Sequence, residues 1–143
     1  MAYKNKFSPK NLKKYVGDPN KILCRSLWER KFCKYLDESK QVIRWSFEPI
    51  KIPYLSPVDG KIHKYIPDFL LEVRKNKTEV EVIMVEIKPE KQTKEPTMGK
   101  KRKKTYVTEA LTYEVNKEKW ISAKKFCDEN GMKFRILTEK DLF

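Results

Sequence analysis

Residues 79–88 read Glu79-Val80-Glu81-Val82-Ile83-Met84-Val85-Glu86-Ile87-Lys88, and the alternation within them decides the fold. On an extended chain Val80, Val82 and Met84 fall on one face and Ile83, Val85 and Ile87 on the other. A strand apolar on both faces belongs in the interior of a sheet that is covered from both sides. Glu86 interrupts this run at a core position, where an uncompensated charge costs several kcal/mol. Period two puts Lys88 on the same face as Glu86, at the strand's C-terminal end.

Upstream, Ile62–Arg74 reads as the neighbouring antiparallel strand, joined through a turn at Asn76-Lys77. It carries Asp68 beside Pro67, with seventeen residues between Asp68 and Glu86-Ile87-Lys88. Val42–Phe47 and Ile50–Tyr54 are predicted short strands, and Ser56-Pro57-Val58-Asp59-Gly60 is a turn. Further back, Ser26 and Glu29 stand in the S-x-x-E spacing of a capping box, which opens a helix to about Ser39. At 100° per residue Trp28, Phe32, Cys33, Tyr35 and Leu36 form its apolar arc, with Asp37 on the polar side. Glu29 falls inside the apolar arc.

Downstream, a helix is predicted from about Thr105, with a break or recap at Asn116. Gly131 is its C-terminal stop, Met132–Leu137 a last strand and 138–143 a terminal turn. The expected architecture is an α/β fold in the order α-β-β-β-α-β, a central mixed sheet flanked by helices. At 143 residues it forms a single domain, 1–143, with one core.

Charge separates the arms from this body. The net charge is +13, which fits a polyanionic partner better than small metabolites. Residues 1–21 hold six lysines against one acid, and 89–104 hold seven Lys/Arg against two acids, so these stretches supply ten of the thirteen charges. Residues 1–25 are expected to form a basic N-terminal arm. Residues 89–104, with Pro89, Pro96 and Gly99, are expected to form a basic flexible loop. A merely solvated face is the plain alternative, which the lopsided distribution disfavours. Three cysteines without a CxxC pair suggest neither a disulfide framework nor a zinc knuckle, and fit a reducing cytoplasm. No run approaches a membrane span, and no signal core is apparent at the start, so a soluble protein is expected.

Two carboxylates converging from adjacent strands, Asp68 and Glu86, make a hard-oxygen site suited to Mg²⁺, which keeps waters and binds phosphate oxygens. A neighbouring amine, Lys88, orients a nucleophile or screens developing negative charge. Glu29 reaches the same pocket as an outer ligand or water-positioning base. Each residue has a plainer role: Glu29 as half of the capping box, Asp68 as a strand-end turn residue, Glu86 and Lys88 as a same-face ion pair. Their joint spacing favours phosphodiester chemistry. Lys91, Lys94, Lys100, Lys101, Arg102, Lys103 and Lys104 are the expected DNA contacts, made to the phosphate backbone with little sequence information. His63 reads as an exposed strand residue, and the three tryptophans as core or sheet residues.

The stretches YIPDFLLEV (65–73) and VIMVEIKPEKQ (82–92), preceded by SLWERKF (26–32) and FEPIKIPY (47–54), resemble the PD-(D/E)xK nuclease superfamily. SLWERKF, IPYLSPVDGKIHKYIPDF (52–69) and the tail from Val115 more narrowly resemble the head completion nucleases of T-even-like tailed phages, over nearly the whole chain. A broader similarity to the Tn7-type transposon end-cleaving nuclease covers the middle only. The resemblance implies a restriction-endonuclease-like core, with Asp68 and Glu86 holding Mg²⁺ (Mn²⁺ substituting), Lys88 as catalytic lysine and Glu29 as the helix acid. It implies trimming of packaged DNA late in head assembly, portal, neck or head-completion proteins as partners, and a place in the infected host's cytoplasm or on the virion. Gln92 is an auxiliary candidate, because some relatives use a glutamine just past the lysine. The competing readings are a non-cleaving basic DNA-binding protein of head closure, and an RNA-associated protein, which the lack of an RNP-type aromatic pattern disfavours.

Overall fold

The structure, a computed structural model, describes residues 4–142. The chain runs β1 (Asn5–Lys6), β2 (Leu23–Cys24), α1 (Leu27–Glu38), β3 (Val42–Phe47), β4 (Ile52–Leu55), β5 (Ile62–Tyr65), β6 (Phe69–Arg74), β7 (Val80–Ile87), α2 (Lys103–Glu129), β8 (Lys133–Leu137) and α3 (Glu139–Leu142), with 3-10 turns at Leu12–Lys14 and Glu90–Thr93. The central sheet has the order β3-β6-β7-β8. Its first three strands are antiparallel, while β8 lies parallel to β7. A parallel neighbour needs a crossover, which α2 supplies. Thus α1-β3-β6-β7-α2-β8 is the expected α-β-β-β-α-β order in a mixed sheet.

The strand expected over Ile62–Arg74 divides at residues 66–68. Pro67 has no N–H to give to a ladder, so pairing stops there. Its first half pairs with β4 as a separate hairpin, Ile52 opposite Tyr65, and its second half joins the sheet between β3 and β7.

Alternation along β7 sorts the core into two layers. Val85 and Ile87 pack with Phe32, Cys33 and Leu36 of α1 and with Trp45, Phe69 and Leu71. Met84 packs on the opposite side with Ile52, Tyr54, Tyr65 and with Ala123 and Cys127 of α2. The first half of β7 is more open, since Val80 is exposed. All three cysteines are buried free thiols.

The N-terminal arm, described from residue 4, is wrapped onto the α1 layer. Phe7 and Ile22 are buried, Tyr15 meets Trp45 edge-on at 4.7 Å, and β1 pairs with β2. This wrapping buries Asp37, assigned to the polar arc of α1, whereas Tyr35 of the apolar arc stays exposed. Residues 1–3 of the expected arm lie outside the described residues.

α2 differs most from expectation. It begins at Lys103, so Lys103 and Lys104 belong to its first turn and not to the preceding loop. It runs without a break through Asn116, which is buried. Gly131, at φ 68°, ends it as expected, with Met132 N–H donating to the Cys127 carbonyl at 2.8 Å. After β8 the expected turn is the short helix α3, tied back by Glu139 Oε1, which accepts from Glu90 N–H at 2.7 Å; Phe143 lies outside the described residues. No helix among the described residues is long and apolar enough to cross a membrane.

Candidate active site

Asp68 and Glu86 meet because the β6–β7 register brings them level. Phe69 pairs with Val85, and one step further puts Asp68 opposite Glu86, on the face that also carries Met84 and Leu70. Asp68 is held from two directions: its Oδ2 accepts from Ile87 N–H at 2.8 Å, and its carbonyl accepts from Glu48 N–H at 2.8 Å. Glu86 is 5% exposed, and the Tyr65 hydroxyl donates to its Oε2. The two carboxyl groups are close enough to share a hydrogen bond. Burial, then the Glu86 charge, pushes the Asp68 carboxyl well above the usual aspartate range, against the opposing pull of Ile87 N–H and Lys88. Burial and the Glu86 charge likewise raise the Tyr65 phenol.

A half-buried acid whose ionisation is opposed by a buried acid beside it forms a site that favours a cation. Among the described residues no three or more Asp, Glu, His or Cys side chains converge as a ready-made cage. A pair of hard oxygen donors suits Mg²⁺, which takes one or two carboxylates and fills its other positions with water and phosphate oxygens.

Lys88 follows β7 directly, half-buried, its N–H donating to the Leu137 carbonyl at 3.0 Å. Glu29 approaches from the other layer. Its N–H donates to Ser26 Oγ at 3.1 Å and its Oε1 accepts from Arg25 N–H at 3.3 Å, so the capping role is real. Its carboxyl is raised by burial and next by the Asp68 charge, which puts it within the field of that carboxylate. Gln92 lies in the Glu90–Thr93 turn and lines a neighbouring cleft to which Asp68, Glu86 and Lys88 do not contribute.

Of the expected DNA contacts, Lys91, Lys94 and Lys101 line that same cleft. Lys94 pairs with Glu90 at 3.2 Å, and Lys101 with Glu109 at 2.7 Å, which ties the loop to α2. Lys100 and Arg102 are exposed, and Lys103 and Lys104 open α2, where cations and the positive end of the helix dipole add to one another.

Three features of the pocket carry no local signal in the sequence. Tyr65 arrives from the hairpin. Lys119 of α2 sets its Nζ 5.7 Å from the Tyr54 ring centroid and 5.8 Å from that of Tyr65. Burial and the Lys88 charge lower its ammonium pKa, with Glu86 opposing, which puts it within reach of both residues' fields. Glu48, at φ 47° in the left-handed region, turns the chain out of β3 so that its N–H meets Asp68, and its carboxylate pairs with Arg25. A sequence offers only Pro49 as a hint of that turn.

A family model described as TnsA-like endonuclease N terminal matches residues 39–139, a span that holds Asp68, Glu86 and Lys88 and begins after Glu29. The head completion nuclease of Enterobacteria phage T4 is 38% identical over 146 aligned residues, covering 99% of this chain and 95% of that protein.

Proposed function

Because the chain belongs to the TnsA-like endonuclease N-terminal family, we propose that it is a Mg²⁺-dependent deoxyribonuclease of the PD-(D/E)xK type that hydrolyses phosphodiester bonds with little sequence specificity and acts in phage head completion. The observation that carries the chemistry is the pairing of half-buried Asp68 with buried Glu86, Lys88 following directly after β7. Near-full-length likeness to the phage T4 head completion nuclease supports the assembly role, in which packaged DNA is trimmed and head or neck proteins are partners.

Asp68 and Glu86 would hold the ion. A divalent cation there supplies polarisation of the scissile phosphate and acidification of a water. Tyr65 fixes the rotamer of Glu86 by donating to Oε2. Lys88 presents its ammonium where negative charge grows on the phosphate, or orients the attacking water. Glu29, desolvated and within the field of Asp68, serves as the outer acid that positions water. The basic residues of 91–104 hold the DNA backbone through salt-sensitive phosphate contacts.

The test is a plasmid-nicking assay with Mg²⁺ and with EDTA, on the wild type and on Asp68→Ala. Nicking is expected with Mg²⁺, none with EDTA, and a loss of at least about 10³-fold in the variant, the scale of removing a principal transition-state stabiliser. Nicking indifferent to both changes overturns the proposal, and DNA binding without any nicking assigns a purely structural role instead.

A further inference from the structure

Between the segment that follows β7 and the first half of α2 lies a cleft of about 520 Å³, lined by Lys91, Gln92, Thr97, Lys101, Tyr113 and Asn116 among others. That volume lies within the roughly 300–1,000 Å³ of small-ligand pockets. Four polar residues of the described chain are buried: Asp37, Ser56, Glu86 and Asn116. The first three are hydrogen-bonded through their side chains, Asp37 to backbone N–H groups, Ser56 to Val58 N–H and Glu86 to Tyr65. Asn116, 6% exposed and lining the cleft, makes no side-chain hydrogen bond to the described residues. The fully enclosed, unpartnered side-chain polar atoms among the described residues are Trp45 Nε1 and Trp120 Nε1, so the Asn116 carboxamide, set mid-helix, opens to the cleft and is left to water or a ligand there.

The cleft adjoins the candidate active site on both of its walls. On α2, Asn116 stands three residues before Lys119 and so on the same face, and Lys119 lies over Tyr65, the residue hydrogen-bonded to Glu86. On the other wall Lys91 and Gln92 follow Lys88 within one short turn. Lys91 has no ion-pair partner among the described residues, whereas Lys101 is already paired with Glu109.

We propose that this cleft is a subsite for one unstacked nucleotide of the strand being cut, with Asn116 hydrogen-bonding the base edge and Lys91 meeting a phosphate. A carboxamide offers a donor and an acceptor side by side, the complement of a base edge. Gln92 repeats that chemistry on the rim, and Tyr113 supplies an aromatic wall. A base stacked in a duplex cannot enter such a cleft, so the subsite favours single-stranded or frayed DNA. The assignment rests on the nuclease reading above, and the experiment separates the two.

Binding is measured by fluorescence anisotropy in full-length protein carrying Asp68→Asn, so that nothing is cut. The probes are a single-stranded oligonucleotide of about 12 nucleotides and a blunt duplex of the same sequence. Asn116→Leu is expected to weaken single-strand binding about tenfold and duplex binding less than about twofold, the scale of one base-edge interaction. Gln92→Ala, an exposed change that leaves packing alone, is expected to weaken single-strand binding alone by about threefold, less than a full base-edge interaction. Unchanged single-strand affinity in both variants, or equal losses on both probes, overturns the subsite. Failure of the nuclease reading appears separately, as a wild type that does not nick plasmid with Mg²⁺.

Discussion

Asp37 and Glu86 are both shut away from water, at 3% and 5% exposure, yet their surroundings differ in kind. Asp37 Oδ2 accepts from Lys10 N–H at 2.9 Å and Oδ1 from Asn11 N–H at 3.1 Å, while its carbonyl accepts from Asn11 Nδ2 at 2.8 Å and Lys14 Nζ at 3.0 Å. Every one of these donors belongs to the arm that folds over α1. Glu86 has one tyrosine hydroxyl and a second carboxyl group beside it, and Asp68 has one backbone N–H for its carboxylate. Burial of an acid therefore does not by itself mark a site. The mark is burial without compensation, because a fold that can satisfy Asp37 so fully with backbone leaves the Asp68–Glu86 pair short of positive charge.

Substitutions break the comparison in opposite directions. Glu86→Ala and Lys88→Ala are expected to reduce plasmid nicking by at least about 10³-fold with the fold intact, while Asp37→Ala keeps turnover per folded molecule within about twofold. Rates normalised to folded protein by circular dichroism check this. On stability the order reverses: Asp37→Ala leaves buried backbone donors unpaired and is expected to cost roughly 2–4 kcal/mol in urea denaturation. An unchanged midpoint would remove Asp37 from its structural role.

Asp68→Asn is expected to stabilise the metal-free protein by about 1–2 kcal/mol, because it removes a charge the fold resists while the side-chain oxygen still accepts from Ile87 N–H. The folded carboxyl lies above its ordinary value of 3.8, so its stabilising contribution is full below that pH and is lost as pH rises towards the folded value. Urea midpoints of the metal-free wild type therefore fall relative to the Asn variant over that rise. Parallel pH curves would contradict the crowding of the two acids. The smallest effect belongs to the basic segment, where replacing Lys100 and Arg102 by alanine should reduce the slope of log K against log salt for duplex DNA by about 0.9 for each phosphate no longer neutralised. An unchanged slope would place the DNA elsewhere.

What the sequence made legible was local and periodic. The two-faced pattern of residues 79–88 places β7 centrally and gives the shared face of Glu86 and Lys88. Ser26-x-x-Glu29 marks the start of α1, and Gly131 the end of α2. Pro67 signals a break inside the expected 62–74 strand, and only the pairing partners of the two halves give that break its meaning. Long-range contacts were not legible. Asp37 looks solvated on a helical wheel because the wheel does not include the arm, and Asn116 looks like a cap because its cleft is formed by a segment far away in sequence. Tyr65 and Lys119 reach the site from a hairpin and a helix whose packing no spacing rule encodes.

The most direct test is anomalous diffraction from crystals soaked in Mn²⁺, with Asp68→Asn crystals as the control. A peak between the carboxylates of Asp68 and Glu86 is expected, lost or greatly weakened in the variant. A fully loaded crystal with no peak between them, or with a peak held by other residues, would contradict it.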